Sequence, residues 1–266
     1  MKLSKSLIAL TLTTIICSCA TVPLTGRKQL SLVDDSQINQ SAAASYSQLL
    51  SDPKTKVIST GTDEQHVKLV GARLSAAIER YLNDNGYANK YQFQWEFNLI
   101  QSSEINAWCM PGGKVAVYTG ILPITQTDAG LATVMGHEIG HAIARHAAER
   151  MSQQLAEQAG GSLIGAATGN QSATMQSMIG SLYGLGGQLA LLKYSRDQES
   201  EADRLGLTFM AMAGYNPNEA VVFWKRMLAQ NKGGSQPEFL STHPADATRI
   251  AAIQKLIPEA MKYYKP

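Results

Sequence analysis

From Thr127 the chain reads Thr127-Asp128-Ala129-Gly130-Leu131-Ala132-Thr133-Val134-Met135-Gly136-His137-Glu138-Ile139-Gly140-His141-Ala142-Ile143. The stretch is apolar nearly all round through Ile143, and its helical pattern continues further. The pattern predicts a helix from Thr127 to about Gln158, lying in the core. Gly136 and Gly140 would each cost an exposed helix about 1 kcal/mol; in a core they let neighbouring backbones approach. His137, Glu138 and His141 stand out here, because ionisable side chains on a buried helix are costly unless something satisfies them.

Two histidines four residues apart share one helix face, and their ring nitrogens can meet at about 2 Å from one zinc ion. Glu138 neighbours His137 without being a ligand, the position from which a carboxylate takes a proton from water as general base. A pair of core histidines hydrogen-bonded to carbonyls is the plainer alternative. A catalytic zinc needs a third protein ligand and an open position. The chain has five histidines, at 66, 137, 141, 146 and 243. A motif with its third histidine six residues beyond the second would need one at 147, where Ala147 stands. A carboxylate from another helix is the natural substitute, and Glu199-Ser200-Glu201-Ala202-Asp203 offers two glutamates. On a helix Glu199 shares a face with Ala202, Asp203, Gly206, Phe209, Met210 and Ala213, whereas Glu201 lies beside Arg204 and Thr208 on a wetter one. Glu199 is therefore the expected third ligand. Asp203, one turn on, is expected to support a ligand histidine through its other ring nitrogen. Glu201 and Arg204 read as a solvated surface pair, and His66 and His146 as surface residues.

Working outward, Asp34 and Asp35 cap a helix to about Leu50, and Thr62-Asp63-Glu64 opens a second that Asn85-Gly86 ends. Tyr91, Phe93, Trp95, Phe97 and Leu99 alternate with Gln92, Gln94, Glu96 and Asn98, which predicts a half-buried strand. Ile105 to Met110 and Lys114 to Thr119 flank the turn Pro111-Gly112-Gly113. Downstream, helices are expected at 197–213, at 216–230 with Asn216 as cap, and at 244–257 with Pro244 first. Residues 160–187 hold eight glycines and read as a helical hairpin or loop able to cover the site. The fold class is α+β, mainly helical, with a small antiparallel sheet.

The 266 residues are 44% hydrophobic and 17% charged, which excludes a disordered polyelectrolyte and a polytopic membrane protein. A net charge of +2 without a Lys/Arg cluster gives a nucleic-acid face no support. At the start, Lys2 and Lys5 precede the apolar run Leu7 to Ile16, a secretory signal too short to span a bilayer. Ile16-Cys17-Ser18-Cys19 resembles a bacterial lipobox with Cys19 as the lipidated residue; a plain cleaved signal is the alternative. The expected organisation is a signal peptide at 1–18, a lipidated N-terminus and linker at 19–33, and one domain at 34–266. Ala20 after the lipid site, in place of Asp, implies the outer membrane by resemblance to such lipoproteins. Cys109 is then the remaining thiol, expected as a small packed side chain.

His137-Glu138-xx-His141 followed by Glu199-xxx-Asp203 resembles the M48 zinc metallopeptidases. Asn106-Ala107-Trp108-Cys109-Met110-Pro111-Gly112-Gly113 is similar to that family's Asn-Ala-Phe…Pro-Gly-Gly segment, with Trp108 and Cys109 as departures. Ser241-Thr242-His243-Pro244 with Arg249 resembles its Ser-x-His-Pro…Arg stretch. The resemblance covers roughly residues 23–257. It implies a gluzincin-like domain with one zinc per chain and an edge strand that faces the active site. There Asn106, Ala107 and Trp108 would bind an extended substrate by its backbone. It places His243 near the metal, as a resting-state ligand or as a donor to the oxyanion, with Arg249 close by; a plain helix-cap histidine is the alternative. It further implies a periplasmic, lipid-anchored zinc endopeptidase acting on unfolded or misassembled envelope proteins in quality control, with envelope assembly machinery among its partners. A zinc-containing, chaperone-like binding protein with latent or no proteolysis is the other reading.

Overall fold

The computed structural model of the chain describes residues 19–161, 194–230 and 237–265. Strands β1 (Cys19–Thr21) and β2 (Lys28–Leu30) pair as an antiparallel hairpin. Helix α1 (Asp35–Ser51) follows, capped by the Asp34 carboxylate, which accepts from the Gln37 backbone N–H. Then come β3 (Val57–Ile58), α2 (Thr62–Asp84), β4 (Glu96–Ile100), β5 (Ala107–Met110) and β6 (Lys114–Tyr118). The remaining elements are helical: α3 (Leu122–Thr125), α4 (Asp128–Ile143), α5 (His146–Gly161), α6 (Arg196–Met212), α7 (Glu219–Ala229), α8 (Glu238–Thr242) and α9 (Ala247–Ala260). The architecture is α+β and mainly helical, as expected.

The second sheet has the order β3-β4-β6-β5 and is mixed. β5 and β6 form the expected hairpin over Gly112 and Gly113, whose φ values of +78° and +85° suit glycine. β4, however, runs parallel to β6, and a long crossover of that kind has no local sequence signal. The order leaves β5 on an edge. The alternation over 91–99 yields strand only from Glu96; the rings of Tyr91, Phe93 and Trp95 before it and of Phe97 within it stack in succession at 5.9, 4.4 and 6.1 Å between centroids. The period of two built an aromatic ladder that runs beyond the hydrogen-bonded strand.

Helix α4 is the core helix, buried along all but three of its sixteen residues. Helix α6 crosses it backbone to backbone. A Cβ added at Gly140 would lie 2.8 Å from the Ala202 carbonyl oxygen, and one at Gly206 would lie 2.8 Å from the Gly136 carbonyl carbon. The glycines thus do what the sequence required of them: they set the carboxylates of α6 directly against the histidines of α4.

Three expectations change. The helix expected over 127–158 is two helices, because Arg145 takes φ +56° and ends α4. No glycine marks that break; the Arg145 guanidinium is drawn to Ser31 and Asp35, distant in sequence. Residues 20–33, expected as a linker, include the β1–β2 hairpin, which seats Val22 in the core with no exposed surface. The last helix begins at Ala247, capped by Asp246, so His243 ends α8 and does not lead into a helix. The signal segment 1–18 and the glycine-rich stretch from 162 to 187 lie outside the described residues. Among the described residues no helix is long and apolar enough to cross a membrane.

Candidate metal centre

One turn of α4 holds the Nε2 atoms of His137 and His141 3.2 Å apart. Glu199 sits in the first turn of α6, behind a capping box made by Ser195 and Gln198. Its Oε1 lies 3.4 Å from His141 Nε2 and its Oε2 3.5 Å from His137 Nε2. His243 adds Nδ1 at 3.2 Å from His137 Nε2 and 2.8 Å from Glu199 Oε1. One donor atom from each of these four buried residues lies within 4.8 Å of all the others.

The donor set fits a single divalent cation. Ligands about 2.0–2.1 Å from a tetrahedral centre are spaced about 3.4 Å apart, close to the separations found here. Glu199 Oε2 is buried without a hydrogen-bond partner; Arg249 Nη1 approaches to 2.8 Å, an ion pair out of hydrogen-bonding alignment. Histidine pulls the Glu199 carboxyl well below the usual range against the effect of burial, so it is an anion. Burial pushes His141 well below the usual imidazole range, which leaves it neutral. Three imidazoles and one carboxylate are a donor set that zinc favours.

The outward ring nitrogens are also engaged. His137 Nδ1 lies 3.0 Å from Asp203 Oδ1. Asp203 is gripped by Arg249 through Nε at 2.9 Å and Nη2 at 2.8 Å, and the guanidinium stacks 3.7 Å above the centre of the Trp224 ring. His141 Nδ1 lies 2.8 Å from His146 Nδ1, and His146 Nε2 lies 3.0 Å from Glu201 Oε2. His146 and Glu201 were expected on the surface, and both are buried, His146 completely. The turn at Arg145 folds His146 back beneath His141, and the wetter face of α6 is covered by Arg27, whose Nε lies 2.7 Å from Glu201 Oε2. Arg204 pairs instead with Glu259. His66 is exposed, as expected, beside Asp128.

Glu138 is buried, with Oε1 lacking a hydrogen-bond partner and 3.4 Å from His243 Nε2. Burial pushes its carboxyl up to about 7, with His243 and Arg249 opposing and Glu199 assisting. A carboxyl poised near neutrality can both take and return a proton. Asn106, Ala107 and Trp108 fall at the start of the edge strand, where Asn106 Oδ1 accepts from the Ala107 N–H at 2.9 Å. The Trp108 ring turns inward, edge-on to Tyr46 at 5.7 Å, so the strand's outer side offers backbone more than side chain. Cys109 is packed, and burial raises its thiol well above the usual range.

A buried helix with two histidines and a buried glutamate between them, and a carboxylate delivered by a crossing helix, all beside an edge strand, define a metallopeptidase. The chain belongs to peptidase family M48, whose sequence profile matches residues 69–257. It is similar to the mitochondrial metalloendopeptidase OMA1 of Saccharomyces cerevisiae, with 36% identity over 179 residues, 65% of this chain and 50% of that protein. The OMA1 of Schizosaccharomyces pombe is 31% identical over 188 residues, 70% of this chain and 53% of its own length. The beta-barrel assembly-enhancing protease of Escherichia coli (strain K12) is 31% identical over 186 residues, 65% of this chain and 38% of its own. The chain spans about half the length of the curated relatives it matches, or less.

Proposed function

We propose that this chain is a zinc endopeptidase of the bacterial envelope, tethered through Cys19, that cleaves unfolded or misassembled proteins. The observation that carries the reading is the four-donor cluster of His137, His141, Glu199 and His243 with Glu138 Oε1 buried beside it and without a hydrogen-bond partner. His137, His141 and Glu199 would hold one ion, and His243 would complete its shell at rest. When bound, zinc supplies a Lewis acid that polarises a peptide carbonyl and acidifies water towards neutral pH. Glu138 takes a proton from the attacking water and returns it to the departing amine. Asp203 fixes the His137 ring, and Arg249 fixes Asp203. An extended substrate adds along the outer side of β5 at Asn106–Trp108 through backbone hydrogen bonds, a mode indifferent to most side chains and suited to unfolded chains. The name of the Escherichia coli relative makes β-barrel proteins of the envelope the first clients to try. On this reading residues 1–18 are the export signal and 34–266 the catalytic domain.

The test compares purified wild type with Glu138→Gln for bound zinc and for cleavage of casein. Both should hold about one zinc, while the variant should lose at least about 100-fold in cleavage. A wild type without stoichiometric metal, or a variant that cleaves normally, overturns the reading. One observation favours a second reading. With His243 closing the cluster, the site reads as latched, and a wild type that holds zinc and binds casein without cutting it would mark a binding protein. Mass spectrometry of the mature N-terminus, with Cys19→Ala as control, tests the tether.

A further inference from the structure

The contact between His141 and His146 has no role in the reading above. Glu201, held by the Thr25 hydroxyl and by Arg27 Nε at 2.7 Å, is a carboxylate and can only accept. The proton between it and His146 therefore sits on His146 Nε2. A neutral His146 then presents a bare Nδ1, 2.8 Å from His141 Nδ1, and only an N–H on the latter can fill that contact. The result is a His141 ring whose lone pair lies on Nε2, the atom that faces His137 and Glu199.

His137 reaches the same state by donating directly to the Asp203 carboxylate. Among the described residues His141 Nδ1 meets a neutral imidazole and no carboxylate, so its orientation depends on what stands behind that imidazole. Behind it is the N-terminal hairpin. Its turn is closed by Val22 N–H donating to Arg27 O at 2.9 Å and Gly26 N–H donating to Val22 O at 3.0 Å. From it Arg27 reaches in, clamping Glu149 with Nη1 at 2.7 Å and Nη2 at 2.9 Å while Nε holds Glu201. Gln198, the capping residue of α6, donates to the same Glu149 carboxylate at 2.9 Å. The chain of contacts thus runs from the hairpin through Arg27, Glu201 and His146 to His141.

We propose that His146 is a positioning residue that fixes the tautomer of His141, and that Thr25 and Arg27 set it through Glu201, making the N-terminal hairpin a working part of the metal centre. The inference rests on His141 being a metal ligand, but its first test does not need the metal. In the metal-free full chain, ¹⁵N NMR of labelled histidine should show His141 protonated at Nδ1, and the proton should move to Nε2 in His146→Ala. In the second test, zinc affinity is read by competition with a chromophoric chelator. His146→Ala should bind zinc about 10–100-fold more weakly. Arg27→Ala, which removes a side chain that touches no ligand, should weaken binding by about threefold or more by the same route. His146→Asn, whose amide oxygen can accept from His141, should recover most of the loss. Merely structural damage would lower the melting temperature of the metal-free protein without moving the tautomer and would not be rescued by asparagine.

Nε2 protonation of His141 in the metal-free wild type overturns the proposal, as does His146→Ala binding zinc within about twofold of wild type. Should His146→Ala fail to fold, the wild-type tautomer and the affinities of His146→Asn and Arg27→Ala decide. A wild type that binds no zinc defeats the peptidase reading, while the tautomer still judges this one.

Discussion

Arg249 shows how much one side chain of this site carries. Its guanidinium holds both oxygens of Asp203, approaches Glu199 and lies flat on Trp224. Lysine has the charge but neither the fork nor the plane, so Arg249→Lys should behave as a damaging change. It is expected to lower stability by about 1–3 kcal/mol in urea titrations of the zinc-loaded protein. Asp203→Asn keeps the shape but weakens the acceptor for His137 Nδ1, and should reduce zinc affinity by about 10–100-fold in chelator competition. Much at this scale was legible. The spacing of His137, Glu138 and His141 and the helix face shared by Glu199 and Asp203 are arithmetic on one helix at a time, and the structure brings those five together. His146 and Glu201 were misread for the complementary reason. Glu201 is covered by Arg27, well over a hundred residues away in sequence, and His146 is folded under His141 by the left-handed Arg145; no local periodicity records either. Trp224, the platform for Arg249, carried no signal beyond being a large apolar residue on a helix.

Between elements, the decisive contact is the crossing of α4 and α6. Since a methyl at Gly140 or Gly206 meets backbone at 2.8 Å, neither position has a flexible neighbour to yield. Gly140→Ala and Gly206→Ala should each cost about 1–3 kcal/mol by overpacking. Both should also weaken zinc binding, because the helix that moves away carries Glu199. Gly136→Ala, whose nearest contact is 3.1 Å, should be the mildest of the three. Melting curves with excess zinc and with excess chelator separate the two effects: the loss should be larger with zinc present. The sequence located most of these helices within a few residues, since apolar periodicity and capping residues are local. It could not show where α4 stops, because the side chain of the left-handed arginine there is held by Ser31 and Asp35, distant in sequence. The parallel pairing of β4 with β6 was equally hidden, being a matter of how the chain returns, not of what the strands contain.

For the molecule as a whole, the buried ionic network predicts how stability responds to acid. The Arg27 and His146 contacts, with the Thr25 hydroxyl, overcome burial and hold Glu201 at about 2, and Arg27 with Gln198 lowers Glu149 as well. Groups lowered in the fold contribute stability above their unfolded value near 4.5, and lose it as pH falls through the folded one. Burial lowers His146 too, so its protonation favours the unfolded chain once pH drops below about 6.5. Both terms have one sign. Between pH 6.5 and 4.5 the raised Glu138 carboxyl opposes the His146 contribution, so the clear signal lies lower: urea midpoints should fall from pH 4.5 to pH 3, and Arg27→Ala should flatten that fall, where the two glutamates act. A wild-type midpoint that stays level across that range would show that the network contributes nothing.

The hairpin has a mechanical consequence. Because β1 starts at Cys19 itself, no slack cord separates that residue from the folded body. If Cys19 bears acyl chains as proposed, the domain is berthed flush against the bilayer, unable to roam on a leash. Its reach into the surrounding compartment is then short, and the proteins it meets are those emerging at, or stranded near, the same sheet of lipid.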